Sequence, residues 1–539
     1  MIKGKKKTIE INHEFRKALN IMEKTRKNVF ITGRAGTGKS TLLEYFREHT
    51  KKKIVVLAPT GVAALNVRGQ TVHSFFGFKP DITVSKVKKL DKKWRRGEIY
   101  TELEAIVIDE ISMVRADLLD CVDKFMRLNG KDKKSPFGGA QMIFIGDLYQ
   151  LPPVVAGAEK RAFAEHYASP YFFSAKIFTD QKLLSSGFEM EFIELEKIYR
   201  QKDEGFIRLL NAVRNNSATQ EDLDALNSRF NPRHEMRAED FTVYLTSTNA
   251  MAAEVNEVRL NNLRGREYIF EGETRGDFDA KSLPTETILR LKKGAQIMML
   301  NNDSAGRWVN GTVGKIADFG EDEEDDFIMV ELESGEEARV GRNRWDLYHY
   351  RYDHNSKSIE SESAGSFTQF PLRLAWAITI HKSQGKTFDQ VVIDVGAGTF
   401  AHGQMYVALS RCTTLEGMTL KRRLEKRHIW MDWKVVRFVT QFQYQKSVEA
   451  CSTEDKLRII EQAIENRRPL RVVYLKSNDV KSKRVITPIE VGENEYMGKT
   501  FLGLKGFCHS RQEERMLRVD RILEIEVEDG LNFDNQPKK

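Results

Sequence analysis

Nine residues near the start of the chain have the pattern of a phosphate-binding loop. They read GRAGTGKST, from Gly33 to Thr41, between the apolar run 29–31 and apolar residues at helical spacing. Glycines without a Cβ let backbone amides turn toward an anion, and the dipole of the following helix favours the same anion. Lys39 is then expected to reach the β- and γ-phosphates of a nucleotide, and the Ser40 hydroxyl to hold Mg²⁺. The alternative is a glycine turn that fits the pattern by chance. The predicted loop contacts are Gly33, Ala35, Gly36, Thr37, Gly38, Lys39, Ser40 and Thr41.

A pair of acids and a glutamine follow two further apolar runs. Asp109 and Glu110 come directly after residues 105–108, and Gln150 lies in a proline-containing segment after residues 142–145. Asp109 is placed to hold Mg²⁺ through water, and Glu110 to take a proton from an attacking water. Gln150 is expected to sense the γ-phosphate. The alternatives are an exposed strand end and an ordinary loop amide.

Two arginines could complete such a site. Arg200 follows Tyr199 near a predicted helix start, and Arg411 ends the segment YVALSR. An arginine that approaches the γ-phosphate across a cleft stabilises the charge of the transition state. The alternative for Arg200 is a surface arginine beside a helix.

Several segments could contact a polyanion. The strand at 54–57 ends in Pro-Thr-Gly, with Thr60 and Gly61 before small residues, and the strand at 243–245 ends in residues 246–249. Hydroxyls and amides at strand ends can hold backbone phosphates. Aromatic rings such as Phe75 beside His73 suit stacking on single strands, although Phe75 alone is more typical of a core. The basic stretch 86–96 with Trp94 is either a small insertion near nucleic acid or a solvated face.

Apolar strands that alternate with helices must position these groups. The alternation predicts a doubly wound α/β fold, whose ligand loops lie at the carboxyl ends of its strands. Short strands with turns between 294 and 370 indicate a small inserted β-barrel. A helix start at 452–455 and strands beyond 470 indicate a separate β-rich domain.

Composition restricts the function classes. The chain has 539 residues, a net charge of +8 and a pI of about 9.0, which favour several domains and a polyanionic partner. Its four cysteines lie far apart, as in a reduced protein without a zinc framework. No apolar run is long enough to cross a bilayer, so we expect a soluble cytoplasmic protein without a membrane partner.

Taken together, residues 10–435 resemble the PIF family of DNA helicases in the RecD-like branch of helicase superfamily one. The resemblance rests on the segments above together with Tyr199–Gln201, His381–Thr387 and Tyr406–Arg411, all in family order. It implies two RecA-like domains, the cofactors ATP and Mg²⁺, and movement from 5′ to 3′ on single-stranded DNA. It also implies unwinding of forks, RNA–DNA hybrids and G-quadruplexes by a prokaryotic, nucleoid-associated enzyme, which we expect to be monomeric.

The resemblance assigns roles residue by residue. It implies a catalytic set of Lys39, Glu110, Gln150, Arg200 and Arg411, with Gln384 and Gly385 beside the nucleotide. The DNA-contacting positions that it implies are Thr60, Gly61, His73, Phe75, Thr246, Asn249, His381 and Lys382. Where the family carries an adenine-reading glutamine shortly before the phosphate loop, this chain has Ile11–Phe15, without a glutamine.

The tail at 453–530 resembles a WYL domain, an SH3-like fold that binds nucleic acids or nucleotides. The tripeptide that gives the domain its name appears as Thr500-Phe501-Leu502. By analogy, the ligand candidates are Phe501, His509, Arg511, Arg515 and Arg518. A solvated basic face without a ligand is the alternative.

The predicted architecture is α/β, with two RecA-like doubly wound parallel-sheet domains and a β-rich tail. The first covers 1–188 with an insertion around 76–100, and the second covers 189–440 with an SH3-like barrel around 300–370. A linker at 441–452 precedes the WYL domain at 453–539. Two rival functions remain open at this point, a translocase that does not separate strands and a nucleic-acid sensor whose ATPase is a switch.

Overall fold

The structure is a computed structural model of the chain. It describes residues 11–90, 97–155, 157–179, 189–234, 240–276, 278, 283–322, 326–396, 401–477, 479–496 and 498–528. Residues 91–96, the part of the predicted basic stretch 86–96 that contains Trp94, lie outside the described residues. The chain forms two compact units, one from residues up to 214 and from 218 to 430, the other from 215 to 217 and from 431 onward.

A parallel sheet of six strands forms the first part of the larger unit, in the order β3-β2-β4-β5-β1-β6. Its central strands are apolar throughout because both faces are covered, as expected for a parallel sheet. The strands are β1 (Asn28–Gly33), β2 (Ile54–Ala58), β3 (Gln70–Thr71), β4 (Ala105–Ile108), β5 (Gln141–Ile145) and β6 (Met190–Leu195).

The predicted domain boundary at 188/189 is wrong. β6 pairs in parallel with β1 along its whole length, from Asn28 beside Met190 to Gly33 beside Leu195. The strand completes the first sheet because Phe192, Ile193 and Leu195 bury their side chains there. The sequence analysis assigned the apolar run after residue 190 to a new domain, because a pairing between segments so far apart in the chain leaves no local pattern.

Helices connect these strands, and the longer ones bury one face. The helix α1 has a buried face that includes Phe15 and Met22, as its periodicity predicted, and the Asn12 side chain caps its first turn. The helices are α1 (His13–Lys24), α2 (Lys39–His49), α3 (Gly61–Asn66), α4 (Val72–Phe76), α5 (Gly97–Glu102), α6 (Ala116–Asn129), α7 (Lys160–His166) and α8 (Lys176–Thr179).

A second parallel sheet has four strands in the order β18-β7-β19-β20. Its strands are β7 (Val243–Thr246), β18 (Ala377–Thr379), β19 (Val391–Asp394) and β20 (Met418–Leu420). The helices α9 (Glu204–Arg214), α10 (Gln220–Asn227), α11 (Asn249–Asn262) and α12 (Gln404–Leu409) accompany it. The two sheets confirm the predicted pair of parallel α/β folds.

The strands between β7 and β18 differ from the single barrel predicted around 300–370. They form a five-stranded antiparallel sheet, a separate three-stranded sheet with a long hairpin, and a two-stranded ribbon. The five-stranded sheet contains β11 (Gln296–Met299), β12 (Val313–Glu321), β13 (Asp326–Leu332), β14 (Glu337–Val340) and β17 (Leu372–Leu374). The hairpin is β15 (Asn343–Asp353) and β16 (Ser358–Gln369) with β9 (Glu273–Gly276), and the ribbon is β8 (Glu267–Glu271) and β10 (Ile288–Lys292).

The smaller unit contains two helices and a five-stranded antiparallel sheet in the order β24-β23-β22-β21-β25. Its elements are α13 (Trp433–Ala450), α14 (Thr453–Glu465), β21 (Leu470–Leu475), β22 (Lys481–Tyr496), β23 (Lys499–Cys508), β24 (Glu513–Arg518) and β25 (Ile522–Val527). The β-rich tail is therefore confirmed.

The predicted linker at 441–452 is wrong for most of its length. Residues 441–450 form the second half of α13, and the Ser447 hydroxyl donates to the carbonyl oxygen of Leu523 at 2.7 Å. The buried Lys456 ammonium of α14 donates to the Ser447 hydroxyl at 2.6 Å and to the Ile522 carbonyl at 2.8 Å. These bonds fasten α13 to the sheet, so the helix belongs to this unit.

Among the described residues, none of the helices combines the length and apolar character that crossing a bilayer requires.

Candidate nucleotide and nucleic-acid sites

The predicted phosphate loop joins β1 to α2. Gly36 and Gly38 have φ angles of +80° and +86°, a left-handed conformation that glycine adopts without strain. The Lys39 ammonium donates to the carbonyl oxygens of Gly33 at 2.7 Å and Arg34 at 3.0 Å. Burial lowers the pKa of Lys39, while the nearby acids Asp147, Glu110 and Asp109 raise it. The loop thus holds a half-buried cation at the start of a helix, where an anion would be stabilised.

The acidic pair lies at the carboxyl end of β4. Burial raises the pKa of Asp109 to about 6 and that of Glu110 to about 7, and the charge of Asp109 adds to the effect on Glu110. Glu110 has a φ of 49°, which is uncommon for a residue with a side chain and aims it away from the strand direction. A carboxyl group with a pKa near 7 is suited to accept a proton at neutral pH.

Gln384 connects the acidic pair to Gln150. Its side-chain amide donates to Glu110 Oε2 at 3.1 Å and to Gln150 Oε1 at 3.2 Å. The Gln150 amide in turn donates to Asp147 Oδ2 at 3.2 Å. Because Gln384 follows β18 of the second sheet, the two sheets meet at Glu110 and Gln150.

Both predicted arginines border the same loop. Arg200 donates to the carbonyl oxygens of Ser410 at 3.3 Å and Gly385 at 3.2 Å, and a methyl group on Gly36 would lie only 2.5 Å from the Arg200 Cβ. Arg411 is 1% exposed and donates from Nε to the Val407 carbonyl at 2.8 Å. Burial lowers the pKa of Arg411 to about 9, with the Arg200 charge adding to the effect. A buried cation, Arg411, beside a half-buried one, Arg200, provides the electrostatics of an anion site.

Tyr406 is a residue of this site to which the sequence analysis gave no role. Its hydroxyl accepts a hydrogen bond from the Ala35 amide at 3.0 Å, between residues 371 positions apart in the chain. Tyr406 is buried on α12, so the second sheet holds the phosphate loop by one of its backbone amides. The signal in the sequence was its position: Tyr406 begins the segment YVALSR, which ends in the candidate finger Arg411.

A buried ion pair is a second feature that the sequence analysis missed. Arg214 Nη2 donates to Asp147 Oδ1 at 3.2 Å, with side chains 3% and 0% exposed. The Arg214 guanidinium also lies 3.9 Å from the Tyr149 ring centre. Since Asp147 accepts from Gln150, the ion pair fixes the loop that carries Gln150.

Most of the residues predicted to act on a nucleotide line one cavity of about 680 Å³. The loop residues of the predicted site that line it are Ala35, Gly36, Thr37, Gly38, Lys39, Ser40 and Thr41. Glu110, Gln150, Arg200, Gly385 and Arg411 line it as well, together with Phe15, Tyr199 and Thr387. The structure therefore brings together the residues predicted to act on a nucleotide, and the volume suits one small ligand.

Three of the predicted DNA contacts, Thr60, Gly61 and Asn249, lie at helix starts. The Thr60 hydroxyl accepts from the Ala63 amide and caps α3, with Gly61 as the first helical residue. Asn249 is exposed at the first position of α11, which the Thr248 hydroxyl caps. His73 and His381 are half-buried, and burial lowers the pKa of both rings, so they are neutral at pH 7. Lys382 is exposed beside His381.

The structure places two of the predicted DNA contacts in the interior instead. Phe75 is 6% exposed and contacts the rings of Phe76, Tyr100 and Tyr350 at centroid distances of 4.9, 5.4 and 5.9 Å. It packs as core, the alternative that its apolar character allowed. The Thr246 hydroxyl is also buried and donates to the Thr248 carbonyl oxygen at 3.1 Å.

The ligand candidates of the smaller unit fall on different faces of its sheet. Arg518 lies opposite Gly503 and Arg515 opposite Gly506, and an odd separation of three along a strand puts the two side chains on opposite faces. Arg518 stacks on the Phe501 ring at 5.2 Å and pairs with Asp520 at 2.6 Å, whereas Arg515 pairs with Glu513 on the other face. His509 shares a hydrogen bond with the Thr487 hydroxyl at 2.8 Å, and Arg511 is exposed in the turn before β24. Of these five candidates, all among the described residues, Phe501 and Arg518 form an aromatic and cationic pair.

Comparisons with known proteins place the site in a family. Residues 9–224 match the model of the PIF1-like helicases, and residues 455–527 match that of the WYL domain. The chain is 32% identical over 449 residues to the ATP-dependent DNA helicase Pif1 of Bdellovibrio bacteriovorus, covering 81% of this chain and 93% of that protein.

Two solved structures of Pif1 from Bacteroides sp. resemble the chain. The ADP-AlF4 complex has a TM-score of 0.73 and 35% identity, covering 81% of this chain and 98% of that one. The complex with single-stranded DNA has a TM-score of 0.56 and 36% identity, covering 80% and 96%. With the phosphate loop, Glu110 and the arginines lining one cavity between two parallel sheets, these likenesses show that the chain belongs to the PIF1-like helicases, as an ATP-hydrolysing DNA helicase with a C-terminal WYL domain.

Proposed function

We propose that this helicase moves from 5′ to 3′ on single-stranded DNA and separates forked duplexes, using ATP hydrolysed in the cavity described above. The observation that carries the proposal is that both sheets supply groups to that cavity. Gln384 of the second sheet bonds to Glu110 of the first, and Tyr406 bonds to the Ala35 amide. A change at the γ-phosphate therefore changes the contacts that hold the two sheets together.

The residues fit a nucleotide with Mg²⁺. Mg²⁺ prefers oxygen ligands and is commonly held by one or two carboxylates together with substrate phosphates. The Ser40 hydroxyl lines the cavity, and the Asp109 carboxylate is near enough to Lys39 of the loop to raise its pKa, so both offer such oxygens. The ion would neutralise charge that develops on the phosphates. Lys39 would leave the Gly33 and Arg34 carbonyls to bind phosphate oxygens, and Glu110 would take the proton of the attacking water.

Arg200 is the better placed of the two candidate fingers. Its two hydrogen bonds are long, at 3.2 and 3.3 Å, and go to neutral carbonyls, so phosphate oxygens would replace them at little cost. Arg411 donates from Nε and Nη2 to its own segment, and from Nη1 to the carbonyl oxygens of Ser383 at 3.3 Å and Lys386 at 3.1 Å. It would act by its charge and by holding the segment that carries Gln384 and Gly385.

The starts of α3 and α11 would hold the DNA strand. Each begins with backbone amides and a threonine cap, and the two helices follow strands of different sheets. Helix starts bind phosphates without reading bases, so we expect binding that is independent of sequence. Opening and closing of the nucleotide cavity would move one helix start relative to the other. The same contacts would accept RNA–DNA hybrids and G-quadruplexes with single-stranded tails.

Hydrolysis and strand separation test the proposal together. The full chain should unwind a duplex with a 5′ tail and leave a duplex with a 3′ tail paired, with ATP consumed in both cases. Lys39→Ala should abolish hydrolysis and keep DNA binding, because Lys39 is part of the phosphate loop. Hydrolysis without release of the 5′-tailed strand would instead favour a translocase, and normal hydrolysis by Lys39→Ala would refute the assignment of the cavity.

We also propose that the WYL domain binds nucleic acid or a nucleotide and regulates the helicase, which would act as a monomer on the bacterial nucleoid. Phe501 and Arg518 support this, since a ring beside a guanidinium suits a base and a phosphate. Arg518→Ala should weaken DNA binding by the full chain. Arg515→Ala is the matched control, because Arg515 pairs with Glu513 on the other face of the same strand. Equal effects of the two substitutions would contradict the proposal.

A further inference from the structure

A basic cluster lies beside β20, the last strand of the second sheet. Residues 227–234 and 417–424 together contain four arginines and one lysine, and neither aspartate nor glutamate. No step of the reaction and none of the DNA contacts proposed above involves these cations. They are called the β20 cluster below and comprise Arg229, Arg233, Lys421, Arg422 and Arg423.

Hydrogen bonds join the two segments into one surface. The Leu420 amide donates to the Arg229 carbonyl oxygen at 3.0 Å, and the Asn231 amide donates to the Leu420 carbonyl oxygen at 2.9 Å. The Asn227 side chain bonds to the amide and the carbonyl oxygen of Leu424 at 2.7 and 2.9 Å. The cations of the two segments are therefore neighbours, although 197 positions separate Asn227 from Leu424.

Neutral groups hold the side chains of the cluster. The Lys421 ammonium donates to the carbonyl oxygens of Pro232 at 2.8 Å and His234 at 3.1 Å. The Arg423 guanidinium lies 4.9 Å from the centre of the Phe230 ring. Carbonyl oxygens and an aromatic ring orient a cation without cancelling its charge, so the positive charge of the cluster stays available to an anion.

Acidic side chains do not balance this charge. Within the part of the chain that the structure describes, no ion pair includes a member of the β20 cluster, whereas the nearby Arg427 pairs with Glu425 at 2.9 Å. Three members, Arg233, Arg422 and Arg423, are exposed to solvent. Like charges gathered on one exposed surface repel each other, and a bound polyanion relieves that repulsion.

The cluster lies at the edge of the second sheet that also carries the start of α11. The strands β7, β19 and β20 are parallel neighbours, so their carboxyl ends lie at one edge. The helix α11 begins shortly after β7, and Lys421 directly follows β20. Two strand spacings, about 10 Å, separate β7 from β20. A stacked single strand advances about 3.4 Å per nucleotide, so about three nucleotides span this distance.

We propose that the β20 cluster binds phosphates of the single strand that α11 holds, and that it lengthens the DNA site by about three nucleotides. The inference rests on the proposed function, in which helix starts hold the strand. A nucleic-acid backbone suits the cluster because it presents one anion at each step, and guanidinium groups bind phosphate oxygens in pairs. Such contacts read no bases, in keeping with binding that is independent of sequence.

Binding of oligothymidylates by the full chain tests the inference. Fluorescence anisotropy with labelled strands of about 4 to 16 nucleotides covers the usual range of single-strand site sizes. The test variant combines Arg233→Ala, Arg422→Ala and Arg423→Ala. The affinity of the wild type should rise with length to a plateau, and the variant should reach its plateau about three nucleotides earlier.

The salt dependence gives the size of the effect. Each phosphate contact on a single strand contributes about 0.7 to the slope of log K against log[salt]. Loss of three contacts should therefore reduce that slope by about 2 for the longest strand, and lower its affinity about 10- to 100-fold at about 0.1 M salt. The shortest strands, which the helix starts alone can hold, should bind to the variant as they bind to the wild type.

Two further variants serve as controls. Arg427→Ala removes an arginine that Glu425 already neutralises, so it should bind every length like the wild type. The combination of Arg233→Lys, Arg422→Lys and Arg423→Lys keeps the charges and should keep the salt slope. Hydrolysis of ATP without DNA should be unchanged in all variants, because none of the substituted residues lines the nucleotide cavity.

The remaining outcomes would overturn the inference. An alanine variant that matches the wild type at every length would do so, and so would an equal loss at the shortest and the longest strands. Displacement of the longest strand by poly-glutamate at the same concentration of charge would assign the cluster to an acidic polypeptide instead. Failure of the wild type to bind any strand would refute the DNA contacts of the proposed function, whereas binding that does not depend on the cluster would leave those contacts in place.

Discussion

The buried pair of Arg214 and Asp147 permits the sharpest energetic prediction. The two side chains are 3% and 0% exposed, and the Asp147 carboxylate also accepts from the Gln150 amide and from the Tyr149 backbone. Removal of one partner leaves a buried charge without its counter-charge, which costs about 3–5 kcal/mol. Arg214→Met keeps most of the side-chain volume and removes the charge, so we expect a loss of that size. Because each kcal/mol of lost stability lowers the melting temperature of a domain of this size by about 2–4 °C, the melting temperature of Arg214→Met should fall clearly.

The same helix supplies a control. Arg208 of α9 pairs with Asp222 at 2.6 Å, but its side chain is 67% exposed. The Asp222 carboxylate is buried but keeps its hydrogen bond from the Thr219 amide at 3.0 Å, and solvent screens the exposed Arg208 guanidinium, so the pair should contribute about 1 kcal/mol or less and Arg208→Met should change the melting temperature little. Calorimetry at one scan rate measures both variants. Equal effects of the two substitutions would refute the reasoning from burial.

Two further measurements make this test more specific. Asp147→Asn and the double variant complete a double-mutant cycle, in which we expect a coupling energy of about 2 kcal/mol or more. Additive single effects would show that the pair makes no contribution of its own. Because Asp147 holds Gln150, Arg214→Met should also lower kcat for ATP more than it changes KM, whereas a merely structural pair would affect neither at a temperature where the protein stays folded.

Three more predictions concern other parts of the chain. Burial raises the pKa of Glu110 from 4.5 to about 7, so its proton stabilises the fold below about pH 4.5 and this stabilisation is lost as the pH rises through about 7. In the absence of nucleotide, the free energy of unfolding of Glu110→Gln should therefore exceed that of the wild type by up to about 3 kcal/mol at about pH 8 and match it at about pH 5. A difference in free energy that does not depend on pH would contradict this. Tyr406→Phe leaves the Ala35 amide without its hydroxyl partner, so denaturant unfolding should show a loss of about 1–3 kcal/mol, and no loss would mean that this hydrogen bond is not made. Cys121, Cys412 and Cys508 are buried, whereas Cys451 is half-exposed, and burial raises the pKa of Cys412 to about 11. A thiol reagent should therefore label Cys451 rapidly in the native protein and all four cysteines after unfolding. Rapid labelling of a second thiol in the native protein would show that the packing described around it is wrong.

Local patterns determined much of the fold and of the nucleotide site. The phosphate loop needs glycines, a lysine and a following helix within a few residues, and all of these are neighbours in the chain. Asp109 and Glu110 could be placed because an apolar parallel strand ends just before them. Alternation of apolar strands and helices then predicted the two parallel sheets, since the carboxyl ends of such strands gather at one edge.

Patterns that look alike locally caused the errors. β6 is an ordinary apolar strand, and only its pairing with β1 assigns it to the first sheet. Residues 441–450 lacked an obvious stripe, yet they form a helix because Ser447 bonds to the sheet of the smaller unit. Phe75 carries the same side chain whether it stacks on a base or fills a core, and its neighbours Tyr100 and Tyr350 decided for the core.

The sequence by itself determined the kind of chemistry, because residue types and short spacings are enough to make a phosphate loop, an acidic pair and candidate fingers. Only the tertiary structure decided which of these groups meet. Gln384 bonds to Glu110 across 274 positions, Tyr406 to Ala35 across 371, and Arg214 to Asp147 across 67. Contacts at such separations depend on how sheets pack, and packing is set by the burial of many apolar side chains at once rather than by any short segment.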